Sequence, residues 1–159
     1  MHTNSLQLSK IPKMRTQMLI RRPADDVFEA FANPAITSKF WFSKGSAPLR
    51  QGAKVTWEWA MYGVSTEVLV VDIKAGSHIK IKWGNVADGY TQVQWLFAPH
   101  KGGTTLVTIT EEGFTGTADV AVAKALGSMG GFSYLLAGAK AWLEQGVTLR
   151  LVEDHAPLA

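Results

Sequence analysis

The chain has 159 residues, 47% of them apolar and 18% charged, with a net charge of +3. That length fits one domain whose core holds without metals or disulfides, and the low charged share argues against disorder. The sequence has no cysteine, which excludes disulfides, thiolate nucleophiles and thiolate-bound metals and fits a reducing cytoplasm.

The basic residues are scattered, with Arg21–Arg22 and Lys80/Lys82 the densest pairs. A nucleic-acid binder gathers such charge on one face, so no nucleic-acid partner is expected. The start, MHTNSLQLSK, is polar and carries no apolar signal core. The longest uncharged stretch, Ala125 to Ala139, is 15 residues, short of the roughly 20 that cross a bilayer. A cytoplasmic protein without a membrane segment is the expectation.

Residues 1–13 read as a flexible leader. Met14, Thr16, Met18 and Ile20 alternate with Arg15, Gln17 and Arg21, which predicts a half-buried strand. Pro23 suits a first helical position, Asp25 and Asp26 suit its first turn, and Val27, Phe28 and Phe31 recur at helical spacing. Asn33-Pro34 ends that helix and opens a second through Ile36 to Phe40. Strands follow at 54–59, 64–73, 78–83, 91–97 and 104–110. They are separated by Tyr62-Gly63, Ala75-Gly76-Ser77, Asp88-Gly89 and Lys101-Gly102-Gly103. Such short hairpin signals predict an antiparallel meander.

A long helix then begins at the cap Thr117, with Asp119 in its first turn, and stops at Gly146. Met129, Phe132, Leu136, Ala139 and Leu143 form its apolar stripe. Gly127, Gly131, Tyr134 and Gly138 form a second, small stripe. Each glycine costs about 1 kcal/mol in a helix interior, and close approach to a sheet is the expected compensation. Residues 14–146 form the domain, and 147–159 extend the helix or trail as a tail. The class is α+β: a curved antiparallel sheet of about six strands wrapped around the last helix, with two short helices after the first strand. That wrapping leaves an apolar cavity between sheet and helix.

Three segments carry a family resemblance. The first is Ile20-Arg21-Arg22-Pro23-Ala24-Asp25-Asp26-Val27-Phe28-Glu29-Ala30-Phe31. The second is Asn33-Pro34 with Lys39-Phe40-Trp41-Phe42. The third is Gly131-Phe132, Leu136, then Trp142-Leu143-Glu144 and Gly146. Over roughly residues 14–146 the chain resembles the START-like helix-grip superfamily (polyketide cyclase, Bet v-like). Within it, the chain is similar to bacterial homologues of the heat-shock-protein-90 ATPase activator. It departs from the family pattern in having Phe132 for the usual tryptophan, Phe40-Trp41 for Trp-Phe, and small Gly138 and Ala139 where bulkier residues are common. The last departure implies more space beside the helix. The resemblance also implies a chaperone partner, by family analogy alone.

The six tryptophans and seven phenylalanines are the distinctive feature. Ordinary core packing accounts for many of them, but a cavity lined with them suits a flat apolar or aromatic ligand. The candidate contacts are Phe40, Trp41, Trp57, Trp59, Trp83, Trp95, Glu111, Phe132, Tyr134 and Leu136. Glu111 shares strand parity with Val107 and Ile109 and faces the cavity if they do. It would orient a polar ligand group or move a proton there. Tyr134 would aim its hydroxyl into the cavity or sit at the rim. Glu58 and Glu67 read as solvated.

The four histidines, His2, His78, His100 and His155, sit at turns or termini without an i, i+4 partner, and nothing in the sequence suggests a buried orienting acid for any of them. Gly127-Ser128-Met129-Gly130-Gly131 lies inside a helix and is no phosphate loop. No metal, cofactor or catalytic residue is assigned. A small-molecule binding or carrier domain is the first reading. An aromatase/cyclase- or hydrolase-like enzyme using the same cavity is the second, and a chaperone-linked stress-response partner the third. Exposed edge strands favour a homodimer.

Overall fold

Period-two alternation makes Met14–Ile20 a strand (β1) whose ends, Met14 and Ile20, are buried while Arg15 and Gln17 face solvent. The computed structural model describes residues 5–158, so His2 lies outside the described residues. Pro23 precedes helix α1 (Ala24–Ala32) as its N-cap, one position earlier than expected, with φ −61°. Its missing N–H costs nothing at a helix start. Val27, Phe28 and Phe31 turn inward. Asn33 closes α1 and opens α2 (Pro34–Thr37), its side-chain oxygen accepting the Ala35 N–H at 3.0 Å. Because α2 is only one turn, Phe40 and Trp41 fall in the turn that follows rather than in the helix.

Among the described residues the sheet has seven strands. After β1 come β2 (Lys44–Gly45), β3 (Lys54–Trp59), β4 (Val64–Lys74), β5 (His78–Asn85), β6 (Gly89–His100) and β7 (Thr104–Glu112). All pairs are antiparallel, in the order β1-β7-β6-β5-β4-β3-β2. The strand beyond the expected six is β2, which pairs Lys44 with Glu58 and Gly45 with Trp57. Gly45 permits this, since a Cβ there would meet Pro34 at 2.7 Å. A bulge between Val70 and Asp72 adds local bend and twist.

Helix α3 (Ala118–Gln145) lies in the grip of the sheet, capped by the Thr117 hydroxyl on the Val120 N–H (3.3 Å). By length and composition alone α3 could cross a membrane. Its residues Phe132, Leu135, Leu136 and Ala139 are instead buried against the sheet and α1, which makes it the core helix of a helix-grip fold. Gly146 ends it in the left-handed conformation (φ +66°), donating to the Trp142 carbonyl at 2.8 Å. The chain then turns through Arg150 into one further helical turn, α4 (Leu151–Asp154).

Two expectations about α3 are corrected. Met129 is 42% exposed and does not belong to the buried stripe, because the sheet grips mainly the C-terminal half of the helix. Gly127 and Gly131 face open space, with no atom within 4 Å of an added Cβ. Only Gly138 marks a close approach, and it meets the backbone and side chain of Phe40 rather than the sheet.

Candidate ligand cavity

The inward parity of β3 buries Val55, Trp57 and Trp59 on one face. On β5 the same parity carries Ile79, Ile81 and Trp83. Trp41, delivered by the turn after α2, packs at 4.9 Å from Trp57, 5.6 Å from Trp59, 6.0 Å from Trp83 and 5.8 Å from Phe132, centroid to centroid. These edge-on and tilted contacts are the favoured aromatic geometries. Beside this cluster lies a cavity of about 560 Å³, within the size range of small-molecule sites. Trp41, Trp59, Trp83 and Phe132 supply its apolar wall, and Glu111 with Ser128 and Thr91 its polar end. It opens to solvent past the exposed Val64, Asn85, Gly131 and His155.

Glu111 is 5% exposed. The β6–β7 register places it opposite Val93, on the inward face. Its Oε2 accepts the Trp83 indole N–H at 2.8 Å and the Thr91 hydroxyl, and its Oε1 accepts the Ser128 hydroxyl at 2.5 Å. Three donors thus occupy three of the roughly four acceptor sites of a carboxylate. The arrangement can hold a flat molecule against the rings and bind one donor of it at Glu111.

The other expected contacts lie elsewhere. Trp57, Trp95 and Leu136 are buried behind the wall. Phe40 lines a separate cavity of about 250 Å³ beneath α4, with Gly138 and Arg150. Tyr134 is 42% exposed on the outer side of α3, its ring 4.9 Å from that of His155. Glu58 and Glu67 are exposed.

The cavity also takes Thr91, Ser128, Tyr62, Val152 and His155 into its lining. Thr91 has the inward parity of Val93 and Trp95, and Ser128 lies one helical turn before Phe132, so both were within reach of the same periodicity. Tyr62, Val152 and His155 were not, because the C-terminal segment reaches the cavity only through the tertiary fold. The Tyr62 hydroxyl donates to the Val152 carbonyl, and His155 Nδ1 donates to the same carbonyl at 2.6 Å.

One histidine does gain an acid. The β4–β5 hairpin brings Asp72 Oδ2 within 2.9 Å of His78 Nε2, with Ser77 Oγ 3.2 Å from Nδ1. Asp72 lies six residues before His78 and meets it only through the hairpin. The cluster is half open to water and shares no residue with either cavity. Among the described residues no group of three His, Asp or Glu side chains could hold a metal ion.

A network at the other end of α3 explains the Trp142-Leu143-Glu144 motif. Glu144 accepts the Arg21 backbone N–H (2.8 Å) and the Lys140 ammonium (2.7 Å). Lys140 also donates to the Leu19 carbonyl at 2.7 Å, and the Arg22 guanidinium donates to the Glu144 carbonyl at 3.1 Å. Together these bonds tie the exit of β1 to the end of α3. Burial alone would raise the Glu144 carboxyl. The hydrogen bonds from Lys140 and Arg21 and their positive charges outweigh it and hold the group below its ordinary value.

No curated protein is similar enough in sequence to match. Among solved structures, a Staphylococcus saprophyticus protein is 30% identical over 87% of this chain and 96% of its own, with a TM-score of 0.75. The Aha1 dimer from Colwellia psychrerythraea is 14% identical over 85% of this chain and 98% of its own, with a TM-score of 0.70. CalU16 from Micromonospora echinospora is 13% identical over 89% and 80%, with a TM-score of 0.64. The last two show the fold alone. The family model for activator of Hsp90 ATPase homolog 1-like proteins matches residues 21–143, and the chain belongs to that family.

Proposed function

We propose that the protein binds a small, flat, apolar or aromatic molecule in the cavity between sheet and α3. The observation that carries this reading is the 560 Å³ cavity itself, walled by Trp41, Trp59, Trp83 and Phe132 and ending at buried Glu111. Affinity would come from apolar burial, at about 25 cal/mol per Å², and from ring contacts. Residues 14–146 would form the binding domain, with the segment after Gly146 completing the rim through Val152 and His155. The absence of cysteine supports a cytoplasmic setting.

The test is native mass spectrometry with thermal-shift screening against small aromatic compounds. A ligand at 100 times its Kd adds about 2.7 kcal/mol of stability. Gly131→Trp is the blocking variant. It fills the cavity mouth from a helical position with no atom within 4 Å of the new Cβ, so the fold is expected to survive while the shift disappears. A shift that persists in Gly131→Trp places binding elsewhere.

An enzymatic reading has one observation in its favour, the Ser128 hydroxyl 2.5 Å from Glu111 inside the cavity. It would make Glu111 a proton acceptor in a cyclase- or hydrolase-like reaction. Turnover of a bound compound that Glu111→Gln abolishes even at saturating concentration supports it. The family description and the Colwellia dimer support two further proposals, a chaperone partner and a homodimer. Pull-down against a heat-shock-protein-90 chaperone and light scattering test them.

A further inference from the structure

The carboxyl group inside the cavity bears on the class of its ligand. Glu111 is nearly fully buried, yet its three partners, an indole N–H and two hydroxyls, are all neutral. Among the described residues no lysine or arginine lines the cavity, and its one histidine, His155, is exposed at the rim with Nδ1 bonded to the Val152 carbonyl. The ion pairs among the described residues lie elsewhere, at Lys13–Glu112, His78–Asp72, Lys140–Glu144 and Arg150–Glu153. The chain as a whole is positive, at +3, and Glu111 is the one acidic residue among the described residues that line the cavity.

A buried carboxylate without a countercharge is costly, and the cost grows as a ligand expels the remaining water. A neutral ligand leaves that cost standing, and an anionic one adds repulsion. A cation removes it. The walls favour the same choice. Trp41, Trp59 and Trp83 present aromatic rings around one space, with Trp59 and Trp83 6.4 Å apart and Trp83 and Phe132 5.9 Å apart. Indole faces attract cations more strongly than other side-chain rings do, and more so when the cation is desolvated.

We propose that the ligand is an organic cation: a flat aromatic amine whose ammonium N–H takes the remaining acceptor site of Glu111 while its ring lies against Trp41, Trp83 and Phe132. This rests on the small-molecule reading above and narrows it.

The experiment is calorimetry on the full chain with three indoles of matched shape. They are tryptamine (cation), indole-3-ethanol (neutral) and indole-3-propionate (anion). Tryptamine is expected to bind about tenfold tighter than indole-3-ethanol, and indole-3-propionate most weakly. In Glu111→Gln the advantage of the cation over the neutral compound is expected to disappear. Ser128→Ala frees one acceptor site on Glu111 and is expected to tighten tryptamine alone, which keeps the test decisive if Glu111→Gln fails to fold. Equal or weaker binding of tryptamine in the wild type overturns the proposal while leaving the small-molecule reading in place, as does a cation preference that survives in Glu111→Gln. Failure of all three indoles to bind contradicts both.

Discussion

Glu144 and Glu111 are both largely buried carboxylates, but their partners set them to different tasks. Glu144 meets Lys140 and the Arg21 N–H and acts as a structural tie. Its carboxyl is held below the ordinary value. Its contribution to stability is therefore complete above the unfolded-state value and is lost as pH falls through the lower folded-state value. Glu144→Gln is expected to cost about 1–3 kcal/mol at neutral pH. Urea unfolding should show the gap to wild type shrinking below about pH 4. A constant gap down to pH 2.5 assigns the effect to packing instead. The sequence made Glu111 legible through parity alone. It could not supply Trp83, Thr91 and Ser128 as its partners, because that convergence depends on registers between three strands and a helix.

At the scale of elements, alternation located six of the strands, since a half-buried strand cannot hide its period. The two-residue β2 is too short to carry one. Glycine was the ambiguous signal. The same residue type marks close contact at Gly138 and open space at Gly127, Gly130 and Gly131, and no local pattern separates the two. The distinction has measurable consequences. Gly130→Ala is expected to stabilise by about 0.5–1 kcal/mol, because it removes backbone entropy from the unfolded chain without meeting a neighbour. Gly138→Leu is expected to destabilise by about 1–3 kcal/mol, since its Cβ alone would sit 3.2 Å from the Phe40 carbonyl oxygen. Denaturant midpoints for the pair check both signs. Stabilisation by Gly138→Leu would show that the Phe40 segment yields.

Taken whole, the molecule is a sheet that grips the C-terminal half of one helix and leaves the other half partly uncovered. The cavity lies where that grip loosens, between Trp59 and Trp83 on the sheet and Ser128, Gly131 and Phe132 on α3. The order of elements was readable because short hairpins fix sheet neighbours. The cavity wall was half readable, because the side of α3 that stays open depends on how the helix docks. We propose that this open space receives a small aromatic molecule. The most direct measurement follows the six tryptophan indole N–H signals by nitrogen–proton NMR while tryptamine or indole-3-ethanol is added. The signals of Trp41, Trp59 and Trp83 are expected to move in a saturable way. Trp142, packed under Lys39 outside the cavity, should stay in place. Stationary cavity signals with either compound at millimolar concentration, or a shift confined to Trp142, would contradict the proposal.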